Sequence, residues 1–152
     1  MSDELYEIDS LVPHAGDMSL LDRVLSADAD SVVAEVTPRL DQLFCRDGEI
    51  GSWVGIEYMA QTIGVWAGLR AKAQGRPPKV GFLLGTRRYT AEVSSFAPDV
   101  PLQVSVTQQF ISDNGLCQFD CHIDSQGRRL ATAQLKVFEP ADIDHFIKES
   151  SQ

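Results

Sequence analysis

No stretch of this sequence reaches the roughly eighteen consecutive uncharged apolar residues that a membrane-spanning helix needs. Positive charge is scarce. There are 13 Lys and Arg against 22 Asp and Glu, for a net charge of -9. Such a surface repels phosphate backbones and anionic headgroups, which argues against nucleic-acid and membrane-surface partners. Cysteine is sparse and odd in number, three in 152 residues, so no disulfide framework is expected. A reduced, cytoplasmic protein is the expectation. The opening Met1-Ser2-Asp3-Glu4 fits it, because it lacks the basic region of a secretory signal. Also missing are a Gly-x-Ser-x-Gly elbow, a phosphate-binding glycine loop, a dinucleotide fingerprint, internal repeats and any linker. The remaining composition is ordinary for a globular chain, 43% hydrophobic and 23% charged. The length suits one domain over residues 1–152, with a sizeable core.

Hydrophobic periodicity orders the chain. Residues 18–27 and 31–37 read as strands joined by a turn at Asp28-Ala29-Asp30, and 39–50 read as irregular. Residues 51–74 form the one long helical segment, stopped by Gly75, Arg76, Pro77 and Pro78. The period then changes to two, with strands at 79–93, 101–111, 115–125 and 128–138, the last three an antiparallel meander. A short helix is expected at 141–148. One helix among antiparallel strands must bury itself against the sheet. Its composition agrees, being apolar all round until Arg70 and Lys72. Ala60, Gly64, Gly68 and Ala71 form a small-residue stripe, expected to let the sheet approach closely.

Glu57 is the anomaly of that helix. It sits within the apolar stretch, with Gln61 four residues on and on the same face. A buried carboxylate must be paired, hydrogen-bonded or proton-shifted. Two readings are open: a general acid, or a structural Glu satisfied by Arg87, Arg88 or backbone groups. The helix start, Gly51-Ser52-Trp53, offers amides and the positive dipole end to a thioester carbonyl, or Ser52 simply caps the helix. Of three histidines, His14 lies in the Pro13–Asp17 loop, His122 on a strand and His145 near the end. Cys117, Cys121 and His122 do not suggest a metal site. In a strand the two sulfur-bearing residues stand about 13 Å apart, so no metal is expected.

The segment Gly51-Ser52-Trp53-Val54-Gly55-Ile56-Glu57-Tyr58-Met59-Ala60-Gln61 resembles the central helix of the hot-dog 3-hydroxyacyl-acyl-carrier-protein dehydratases. Val12-Pro13-His14, Leu20-Leu21-Asp22-Arg23-Val24, Gly85-Thr86-Arg87-Arg88-Tyr89 and Ala97-Pro98-Asp99-Val100-Pro101-Leu102 look like the flanking family segments. The resemblance spans roughly residues 11–138 and is nearest to the short dehydratase-like proteins of aryl-polyene clusters. It implies an α+β hot-dog fold, a sheet wrapped round the helix, with no cofactor. Glu57 matches the catalytic acid. Ser52 and Trp53 fall where amides hold the substrate carbonyl. Gly55 and Gln61 match helix-framework positions counted with the substrate site. The partner implied is an acyl carrier protein bearing a 3-hydroxyacyl chain.

The family also has a histidine in a loop before the helix. Here that stretch, Leu43-Phe44-Cys45-Arg46-Asp47-Gly48-Glu49-Ile50, has none. His122 is set outward by strand alternation, His145 is terminal, and Cys45 or Asp47 would need its own activation. His14 is the remaining candidate base, facing Glu57 within one chain or across a dimer. The expected assembly is a homodimer or a hot-dog heterodimer, because the sheet edge is left open. The alternatives are a hot-dog thioesterase and a non-catalytic subunit of an active dehydratase. An acyl tunnel near the helix start, walled by Trp53, Ile56, Phe82 and Leu84, is expected. So is a basic cluster drawn from Arg39, Arg46, Arg70, Lys72, Arg76, Lys79, Arg87 and Arg88 at its mouth.

Overall fold

Strict alternation of small apolar and polar residues in Ser-Val-Val-Ala-Glu-Val makes β2 (Ser31–Val36) a half-buried strand, with Val32, Ala34 and Val36 inward. It pairs with β1 (Arg23–Ala27) across a turn held by Asp28, whose carboxylate accepts from the amides of Asp30 and Ser31. The computed structural model describes residues 20–39, 45–46, 49–75 and 82–138. His14, the expected terminal helix and most of the stretch before the central helix lie outside them.

The short β3 (Cys45–Arg46) and β4 (Glu49–Gly51) precede the helix α1 (Val54–Ala73). Then come β5 (Phe82–Ala91), β6 (Ser95–Phe96), β7 (Leu102–Ile111), β8 (Leu116–Ser125) and β9 (Arg128–Phe138). Six strands form one antiparallel sheet in the order β1-β2-β7-β8-β9-β5. The meander is therefore as expected. The register slips in four of the five pairings, and such bulges add the twist a sheet needs to curl round a helix.

The helix lies against this sheet, chiefly β2 and β7. Tyr58, Met59, Ile63, Val65 and Trp66 meet Val104, Val106, Phe119 and Leu135 in one buried core. Trp66 packs edge-on to Phe119 at 5.0 Å. The helix stops at Gln74, and Gly75 takes the left-handed conformation (φ 68) that favours glycine. The antiparallel sheet with one packed helix agrees with the hot-dog expectation.

Two expectations need correction. Residues 45–51 are not wholly irregular: β3, β4 and β6 make a second, three-stranded sheet. Ile50 and Phe96, both fully buried, pair across it. The small-residue stripe also does not face the sheet along its length. Gly68 and Ala71 are buried, but Ala60 and Gly64 lie with Trp53, Ile56, Glu57 and Ala67 on the half-buried side.

Candidate active site at the start of the central helix

Glu57 sits one turn into α1, on the face the sheet leaves partly open. Trp53, four residues earlier, is 53% exposed beside it. Gln61, one turn later and 1% exposed, donates from Nε2 to Glu57 Oε1 at 3.2 Å. Its Oε1 accepts the Leu20 amide at 2.8 Å. One side-chain amide thus spends both ends, tying the carboxylate to the strand-entry segment. A carboxylate with one oriented oxygen on a half-open apolar face can give or take a proton at a substrate.

The helix start is built differently from a side-chain cap. Trp53 is the N-cap, in helical conformation (φ -61, ψ -24), and makes no side-chain cap hydrogen bond. Ser52 is therefore not the cap. Its amide is also not open to a ligand, because it donates to Ser94 O at 3.0 Å. Its carbonyl accepts the Gly55 amide at 3.0 Å and the Tyr89 hydroxyl. Of the two amides expected at the substrate carbonyl, that of Ser52 is thus already engaged within the fold.

Gly55 earns its place by close packing. A Cβ there would run into the Tyr89 hydroxyl, and would lie 3.0 Å from Ile123 Cδ1 and 3.3 Å from Phe96 Cζ. Tyr89 carried no sequence signal for this role. It reaches the helix start from a register slip between Arg87 and Thr90, where Arg88 adopts φ 55. Burial pushes its hydroxyl up to about 12, so it remains a donor.

The other expected site features disperse. Phe82 and Leu84 have side chains outside the described residues, while Ile56 is half-buried on the Glu57 face. Arg70 and Lys72 stand in the last turn of α1, Arg70 stacked over Trp66 at 5.4 Å. That is about 20 Å along the helix from Glu57. Arg88 lines a hollow on the sheet with Asp120, His122 and Arg129, and Arg39 approaches Asp22 at 3.5 Å, so these four do not form one patch. A groove of about 770 Å³ also lies at the far end, between Trp66, Leu69 and the β1–β2 turn, where Trp66 Nε1 donates to Ala29 O at 3.0 Å. His122 points outward as expected and lies 3.6 Å from Asp124. Cys117 and Cys121 are buried, and burial raises the Cys121 thiol. No group of three metal-ligating side chains occurs among the described residues, and no described helix is long and apolar enough to cross a membrane.

Comparison with solved structures places this geometry among relatives. A chain of the dehydratase heterocomplex ApeI:P from Xenorhabdus doucetiae is 28% identical, with 95% of this chain and 97% of that one covered and a TM-score of 0.86. A hypothetical thioesterase with coenzyme A from Streptococcus pneumoniae TIGR4 is 15% identical over 76% of this chain and 83% of that one, TM-score 0.59. A homologue of HP0420 from Helicobacter felis is 10% identical over 88% and 99%, TM-score 0.63. The last two share the fold alone. No curated protein matches. The sequence model of the ApeP-like family, described as ApeP dehydratase, matches residues 6–148. That span takes in the central helix, the strands that wrap it and the Glu57–Gln61 pair, and with it the chain belongs to the ApeP-like dehydratase family.

Proposed function

We propose that this chain dehydrates 3-hydroxyacyl thioesters carried on an acyl carrier protein, in aryl-polyene synthesis, as one subunit of a hot-dog heterodimer in the cytoplasm. The observation that carries the reading is Glu57, oriented by Gln61 on the half-buried helix face beside an exposed Trp53. A base removes a C2 proton, the C2–C3 double bond forms, and the C3–O bond breaks. Glu57 protonates the departing hydroxyl, which leaves as water. The Trp53 amide at the positive helix end receives the charge that develops on the thioester oxygen. His14 is the base this chain could bring to that face. The half-open face also suits completion by the second subunit, and the naming of the relative as a heterocomplex supports that arrangement.

The test is turnover of a 3-hydroxyacyl-carrier-protein thioester, followed as enoyl product by mass spectrometry, with this chain alone and with its hot-dog partner. Activity only with the partner is expected. Glu57→Gln should keep the melting temperature and lower turnover at least about a hundredfold, the scale of losing a general acid. Wild-type turnover in Glu57→Gln, or hydrolysis of saturated acyl thioesters in place of dehydration, would refute the reading. His14→Ala with unchanged turnover moves the base to the partner. A light-scattering mass near 16.7 kDa in the active mixture would exclude a dimer of either kind.

A further inference from the structure

The groove at the far end of α1 has an apolar lining in Trp66, Leu69 and Ile111, and Ile111 is exposed there. Its rim carries charges of both signs. Arg70 and Lys72 stand on it from the last turn of α1, and Asp28 and Asp30 from the β1–β2 turn. Apolar surface left in water forgoes about 25 cal/mol per Å², so a segment that covers it is favoured.

β9 delivers the chain to this place. Its last residue, Phe138, is in register with Leu116, and the next residue of β8, Cys117, is in register with Ile111 of β7. Phe138 is therefore two strand spacings from Ile111, about 10 Å. Residues 139–152 follow Phe138 and lie outside the described residues. Three extended residues, 139–141, cover about 10 Å. The sequence beyond them suits the groove. Ile143, Phe146 and Ile147 recur at the spacing of one helix face. Asp142 and Asp144 come early and Lys148 comes last, opposite in sign to the two halves of the rim. A tether this short holds the segment at a millimolar effective concentration, ahead of an untethered competitor.

We propose that residues 141–148 occupy this groove: they seat there as a helix of the same chain, with Ile143, Phe146 and Ile147 on Trp66, Leu69 and Ile111. The seat closes the open end of the core. It lies about 20 Å along α1 from Glu57, so it is independent of the dehydratase reading and its test needs no turnover.

Eight residues are too few for a helix that is stable alone in water, so slow exchange of their amides reports docking. The test is amide hydrogen exchange of the full chain, read by mass spectrometry. In the wild type, amides of residues 143–148 should exchange about tenfold or more slower than in an unstructured chain. Two full-length variants remove the contact from either side. Ile143→Asp with Phe146→Asp charges the apolar face of the segment. Ile111→Asp charges the groove at an exposed position, which spares the core. Each should return residues 143–148 to the unstructured rate, while amides in the middle of α1 keep their protection. Unstructured exchange in the wild type overturns the proposal. So does protection that survives Ile111→Asp, which puts the segment elsewhere. Protection that rises with protein concentration makes a second copy the occupant, and protection that appears only with a hot-dog partner subunit makes the segment part of that interface. Either result overturns the seat within one chain.

Discussion

Replacing Gln61 with Met tests how the helix carboxylate is held. Met is close in volume, so packing changes little. The amide is lost at both ends. The buried Leu20 N–H loses an acceptor at 2.8 Å, which costs about 1–3 kcal/mol for an orphaned donor. Glu57 loses a partly buried donor at 3.2 Å, worth about 1 kcal/mol. Against a small gain from burying an apolar side chain, the net is about 2–3 kcal/mol. For a chain of this size that is roughly 4–12 °C in melting temperature. Gln61→Glu separates the two bonds. It keeps an acceptor for Leu20 but sets a second carboxylate four residues from Glu57. Like charge raises the folded pKa of the pair above its unfolded value. Stability relative to wild type is then retained at low pH and lost as pH rises through the raised value. The assay is thermal unfolding by circular dichroism from about pH 4 to 8. A Gln61→Met melting point within about 1 °C of wild type, or a Gln61→Glu deficit that does not grow with pH, refutes the two-ended role.

Tyr58 is fully buried, and its hydroxyl has no hydrogen-bond partner among the described residues. Tyr58→Phe should therefore hold stability or raise it by up to about 1 kcal/mol, and a lower melting temperature would reveal a partner for the hydroxyl. Burial, then Arg129, lowers the His122 pKa below 6.5, with Asp124 opposing. The neutral ring is thus favoured in the fold, and its contribution is present above the unfolded pKa and lost as pH falls through the folded value. His122→Gln should flatten that acid-side decline in a pH series of melting temperatures. A parallel decline in wild type and variant would remove His122 as its source.

The long helix and the meander were legible because each repeats a period over ten residues or more, as in β8, where Cys117, Phe119, Cys121 and Ile123 alternate inward. Glu57 and Gln61 were legible as a pair because four residues is a helix turn. The small sheet was not: strands of two or three residues carry no period, and β4 finds β6 across the whole helix. Spacing revealed the small-residue stripe but not the direction it faces, which depends on how far the sheet curls. Tyr89 was hidden for a related reason. Nothing in Arg87-Arg88 announces a left-handed residue, a role usually taken by Gly or Asn, so the slip that swings Tyr89 inward has no local signature. The Ser52 amide looked free because its acceptor, Ser94, lies 42 positions later in the numbering.

The central helix is moored at both ends. Ser52 grips Ser94 and Tyr89 at one end, and Trp66, with Arg70 stacked on it, grips the β1–β2 turn at the other. A rod fastened in this way cannot travel along its axis like a piston. Sliding by even one residue, about 1.5 Å, would break moorings at both ends together. Any adjustment along the half-buried flank that carries Glu57 therefore falls on side-chain rotation and not on travel of the helix.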